Sequence, residues 1–137
     1  MKKSQLLLAY QLLIGASDSA TGLLLLVAPA LTLHLMRLQA PDTALPYLSY
    51  IGAFVLSVGL ACWYGAMLAA RPGSLAKLEV VWLLTGITRA IVALFVLTKI
   101  LSGGLEAGWL TVAVSDGVLA GLQFVGLARG WLRDATL

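Results

Sequence analysis

Apolar residues recur along this chain in four long runs, broken only by short polar stretches. The runs cover roughly residues 6–35, 47–70, 78–101 and 109–132. At about 1.5 Å of rise per helical residue, each is long enough to cross a hydrocarbon layer of about 30 Å. Backbone groups in lipid have no water to bond, so a spanning segment of this length is expected to be helical. Between the runs lie stop and turn signals: Pro41 and Pro46 in "LQAPDTALP", "RPGS" at Arg71–Ser74, and "SGGLEAG" at Ser102–Gly108. Connections this short favour antiparallel neighbours. The pattern therefore predicts an all-α protein: an integral membrane up-down-up-down four-helix bundle, with residues 1–137 as a single domain.

Composition agrees with the pattern. Of 137 residues, 61% are hydrophobic and 11% charged, and the mean hydropathy is +0.98. A soluble domain carries about 25% charged residues, so this chain has too few to cover itself in water. Lys2, Lys3 and the following apolar stretch resemble the opening of a secretory signal. However, the run resumes after Asp18 and continues to Leu35, and cleavage after Ala20 would put Asp18 where a small residue is required. The first run is therefore read as a retained span.

Charge sets the expected orientation. With four spans, Lys2, Lys3, Arg71, Lys77, Arg129 and Arg133 share one side, and Arg37 and Lys99 the other. The positive-inside bias places the N- and C-termini in the cytoplasm, for a multi-pass protein of the bacterial inner (cytoplasmic) membrane. Trp109, Trp131, Tyr47 and Tyr50 lie where interfacial aromatic anchors are expected. The net charge of +3 is explained by this asymmetry, so no nucleic-acid partner is expected. Small residues at helical spacing, Gly15 with Gly22, Gly52 with Gly59, Gly117 with Gly121 and Gly126 with Gly130, predict close helix contacts.

Against this background the polar residues inside the runs stand out. "ASDSA" (Ala16–Ala20) and "VSDGV" (Val114–Val118) each carry a carboxylate, and "ITRAIVALFV" (Ile87–Val96) carries Arg89. Counting from the ends of their runs, Asp18 and Arg89 lie about 18 Å, and Asp116 about 20 Å, from the inner edge. All three thus share one level near the midplane. Gln11 lies two turns before Asp18, Gln123 two turns after Asp116, and Thr85 one turn before Arg89. With Tyr10 they extend a polar stripe from the charged level toward the cytoplasmic side. A guanidinium stays charged and offers five donors, so Arg89 is suited to hold both carboxylates. The candidate ligand- or ion-binding residues are Asp18, Arg89, Asp116, Gln11, Gln123, Thr85 and Tyr10.

Several functions fit such a stripe. It can bind the polar end of a lipid, quinone or other amphipathic small molecule in a non-catalytic protein, or in an accessory subunit of a membrane complex. It can couple protons or cations to transport in a homo-oligomer, since four helices enclose little pore. It can also serve only to lock the helices in register, leaving function to the lipid-facing surface. Catalysis fits less well. His34 is the only histidine and Cys62 the only cysteine, at different depths, so neither a metal site nor a nucleophile with its base is expected. No cofactor is expected, and the balance leans against an enzyme.

"TGLLLLVAPALTL" (Thr21–Leu33), "ITRAIVALFV" and "VSDGVLA" (Val114–Ala120) resemble stretches of small bacterial four-helix membrane proteins of the DoxX-like and DUF4345-like type. The resemblance implies the four-helix fold over most of the chain, with Arg89 and Asp116 as core polar residues. Some members of that group are associated with quinone-linked redox complexes. Asp18 has no counterpart in it.

Overall fold

A computed structural model describes residues 2–134. Met1 and residues 135–137, part of the expected single domain, lie outside the described residues. All regular structure among the described residues is helical: α1 (Lys3–Val27), α2 (Pro29–Leu35), α3 (Leu45–Ala70), α4 (Leu75–Leu101), α5 (Leu110–Ala128) and α6 (Trp131–Asp134). Short 3-10 turns at Asp42–Ala44 and Ala107–Trp109 lead into α3 and α5. Four helical stretches are long and apolar enough to cross a membrane: Lys3–Val27, Asp42–Ala70, Leu75–Leu101 and Ala107–Ala128.

Two of the expected runs are interrupted. The run over 6–35 is not one helix, because Pro29 has no N–H to donate and its ring would meet the preceding turn. Ala28 leaves helical geometry (φ −144°, ψ 62°), and α2 starts afresh with Pro29 in its first turn. The fourth run breaks at Gly130, whose φ of +67° closes α5 before α6 begins. Gly103, at φ +78°, ends α4 in the same way, and the next N–H, of Gly104, donates to the Lys99 carbonyl at 2.8 Å. That bond satisfies a carbonyl the helix would otherwise leave open.

The chain forms two compact units that divide between Ala70 and Arg71. In the first, α1 packs antiparallel against α3. Gly22 faces Leu56, Gly59 faces Ser19, and Gly15 faces Trp63, so positions rise on one helix as they fall on the other. A Cβ on Gly22 would overlap the Leu56 backbone, and one on Gly52 would lie 2.6 Å from the Leu26 nitrogen. Glycine is required at these points because the two backbones themselves are in contact. Trp63 adds one polar link, its indole N–H donating to Ser19 Oγ at 3.0 Å.

In the second unit α4 packs against α5, again antiparallel. Leu78, Trp82, Thr85, Arg89, Ala93 and Val96 are buried at spacings of three and four, which puts them on one face of α4. Ala113, Ala120, Gln123 and Gly126 form the buried face of α5. The indole of Trp82, 2% exposed, fills the place a side chain on Gly126 would take, 2.5 Å from its Cβ position. The expected glycine contact on α5 is absent at Gly121, whose Cβ position has nothing within 4 Å, and Gly117 meets only the Ala93 Cβ at 3.8 Å. Gly130 serves the turn instead of packing: nothing lies within 4 Å of its Cβ position.

Candidate functional site

The buried faces of α4 and α5 carry the polar residues that the sequence places near mid-span. Arg89 is 4% exposed, and its Nη1 donates to Asp116 Oδ1 at 2.7 Å. The side chain of Asp116 keeps 20% of its surface exposed against 5% for that of Arg89, so the pair is buried mainly from the arginine side. A charge-assisted bond of this length between α4 and α5 is among the stronger links available to a helix pair.

One turn along α4, Thr85 forms the second rung. Its hydroxyl donates to the Val81 carbonyl at 2.7 Å, as threonines in helices often do. With its single hydrogen committed, Thr85 Oγ1 is left as an acceptor, and Gln123 Nε2 donates to it at 2.9 Å. This sequence of donors fixes the amide orientation of Gln123: nitrogen toward Thr85, oxygen away. Gln123 is fully buried, and its Oε1 has no hydrogen-bond partner.

The two rungs are offset. Thr85 and Arg89 are about 6 Å apart along α4, while Asp116 and Gln123 are about 10 Å apart along α5. The long arginine side chain makes up the difference. Below the second rung, Trp82 packs into Gly126 and closes the layer.

The remaining predicted residues lie on α1, in the first unit. Leu7, Gln11, Gly15, Gly22 and Leu25 form its buried face, and Asp18 falls in the same series between Gly15 and Gly22. Gln11 is fully buried, with neither its amide nitrogen nor its oxygen hydrogen-bonded. Tyr10 and Asp18 are partly buried. The structure thus joins Arg89 to Asp116 and Thr85 to Gln123, and places Tyr10, Gln11 and Asp18 together on one helix.

Two participants escaped the sequence. Ser19 with Trp63 makes a polar contact that no motif announces, because it joins residues 44 apart in sequence. Gly86 lies beside the second rung: a Cβ built there would be 3.4 Å from Gln123 Oε1 and 3.3 Å from Phe124 Cε1. Its only signal in the sequence is a glycine next to Thr85 in a run of bulky residues. Among the described residues, no three or more His, Cys, Asp or Glu side chains converge as a metal site.

No family model, curated protein or solved structure matches the chain.

Proposed function

We propose that the chain is a multi-pass protein of the bacterial inner membrane, an up-down-up-down bundle with both termini cytoplasmic, which binds the polar end of a lipid, quinone or other amphipathic molecule without catalysing a reaction. The observation that carries this reading is the buried Arg89–Asp116 pair on helices whose outer faces are apolar. Charged groups inside a membrane segment cost several kcal/mol unless partnered, and such residues commonly mark binding sites or pathways.

The surfaces support the membrane part of the reading. At most 39% of the most apolar stretch of any of the four helices is buried, and Leu13, Val27, Ile91 and Leu94 are each more than 60% exposed. Apolar surface on that scale needs a cover of lipid or protein. Exposed hydroxyls hide their hydrogens: Ser57 donates to the Ala53 carbonyl and Thr88 to the Leu84 carbonyl. Membership of the DoxX-like group belongs to the same proposal, and would assign Arg89 and Asp116 to the polar core.

The test is mass spectrometry of small molecules that co-purify from native membranes. The comparison is between the parent and Arg89→Leu/Asp116→Leu, a pair of changes that removes both partners of this ion pair. One amphipathic species should be depleted about tenfold in the variant. An identical small-molecule profile would remove the binding reading. A reporter fused after Leu137 should be active on the cytoplasmic side, and periplasmic activity would overturn the orientation.

A further inference from the structure

Where α4 begins and α5 closes, the second unit has an open groove of about 280 Å³, near the size at which small-molecule sites begin. Its lining comes from three helices: Glu79, Val80 and Leu83 of α4, Leu127 of α5 and Arg133 of α6. Arg133 Nε donates to Glu79 Oε1 at 2.9 Å, yet the arginine side chain is 78% exposed. So exposed an ion pair contributes little to stability, but the bond through Nε holds the guanidinium at the mouth of the groove. Val80 and Leu83 are apolar and exposed, and Leu83 lies one turn past Glu79, about 6 Å further along α4. The groove therefore passes from charged to apolar within a single helical turn. The same end of the unit carries Arg71 and Lys77 at the start of α4 and Arg129 after α5, all exposed. None of these three makes an ion pair among the described residues. With Arg133 they outnumber Glu79 and Asp134, so positive charge is in excess there among the described residues.

We propose that this groove holds an anionic phospholipid such as phosphatidylglycerol, with its phosphate on the Arg133 guanidinium and the upper part of one acyl chain along Val80, Leu83 and Leu127. A guanidinium fork matches the geometry of phosphate oxygens. Basic pockets between membrane helices suit anionic head groups, and the excess of positive charge favours a net negative head over zwitterionic phosphatidylcholine. Free phosphate would gain nothing from the apolar wall, which is why the occupant is a lipid. The groove lies about 15 Å along α4 from Arg89. The inference therefore rests on the membrane part of the proposed function and not on its ligand site.

The test starts by recovering the full chain from the membrane fraction, so that failure of the membrane reading shows before any lipid is added. The protein in detergent is then titrated with phosphatidylglycerol and separately with phosphatidylcholine, and bound lipid is counted by native mass spectrometry. Phosphatidylglycerol is expected to bind about tenfold more tightly. Arg133→Gln should remove that preference, and it is expected to fold because the pair it breaks is exposed. Arg129→Gln, a loss of the same charge outside the groove lining, should leave most of it. Val80→Phe keeps every charge but narrows the groove, and should weaken phosphatidylglycerol binding severalfold. Equal affinity for the two lipids in the parent would overturn the proposal. Equal losses in Arg133→Gln and Arg129→Gln would do so too, by showing diffuse attraction to a basic surface. Unchanged binding in Val80→Phe would remove the acyl chain from the groove and the lipid assignment with it.

Discussion

Where α1 meets α3, the chain brings backbone against backbone; where α4 meets α5, it brings side chain against side chain. Gly22, Gly52 and Gly59 have no side chains because Leu56, Leu26 and Ser19 occupy the places these would need. In the second unit the glycines at the contact are partnered by large groups, Gly126 by Trp82 and Gly86 by the Phe124 ring. The links are polar: Arg89 to Asp116 and Gln123 to Thr85. Close backbone approach gains dispersion contacts but leaves little room for side chains between the helices, where the Trp63–Ser19 bond is a single polar link. The wider α4–α5 contact has room for polar groups, and the candidate site is found there for that reason.

The comparison is broken most sharply at Gly22. In an exposed helix, glycine to alanine stabilises by roughly 0.5–1 kcal/mol. Gly22→Ala instead puts a methyl group into the Leu56 backbone, which cannot rotate away as a side chain would. The helices must separate, at a cost of about 3 kcal/mol or more. Thermal unfolding in detergent should show a large drop in midpoint. A midpoint at or above that of the parent would mean that α1 and α3 are not in backbone contact at this level.

Arg89→Leu is expected to come next. Removing one partner of a buried ion pair typically costs about 3–5 kcal/mol, because the other charge is stranded. The lower end applies here, since Asp116 keeps a fifth of its side chain exposed. Adding Asp116→Asn should return much of the loss, a recovery no glycine contact in the first unit would show. If the double variant is no more stable than Arg89→Leu alone, the arginine contributes through packing and the polar account of α4–α5 fails.

Thr85→Val should cost less, about 1–3 kcal/mol, because it leaves the buried Gln123 amide nitrogen without an acceptor. Combined with Gln123→Leu it should become nearly neutral, since both polar groups are then gone. Urea unfolding of the two single variants and the double variant measures the coupling. Additive losses would show that the 2.9 Å contact contributes nothing of its own.

How far the sequence foretold these contacts depends on how local their cause is. Four apolar helices follow from run length, and the level shared by Arg89 and Asp116 follows from counting residues, because rise per residue is constant. Thr85 and Gln123 were legible as a stripe but not as a bonded pair; the hydroxyl's commitment to Val81 is a matter of rotamer. The break at Ala28 was signalled by Pro29, yet the apolar run passed straight through it. Gly22 and Gly121 look alike in sequence, each a glycine amid leucine, valine and alanine. Only the neighbouring helix distinguishes them, since one faces a backbone and the other faces nothing within 4 Å.

That contrast supplies the smallest effect. Gly121 is exposed, lies inside α5, and has open space at its Cβ position. Gly121→Ala meets no steric opposition, and it lowers the conformational entropy of the unfolded chain while favouring helical geometry. The expected change is a gain of roughly 0.5–1 kcal/mol, opposite in sign to Gly22→Ala although the substitution is identical. Measured side by side in the same detergent, the two variants separate intrinsic helix preference from helix contact. A marked loss of stability in Gly121→Ala would show that a second surface covers this face of α5 in solution. Dilution would then identify the source, because a contact between copies weakens with falling protein concentration and a contact within one copy does not.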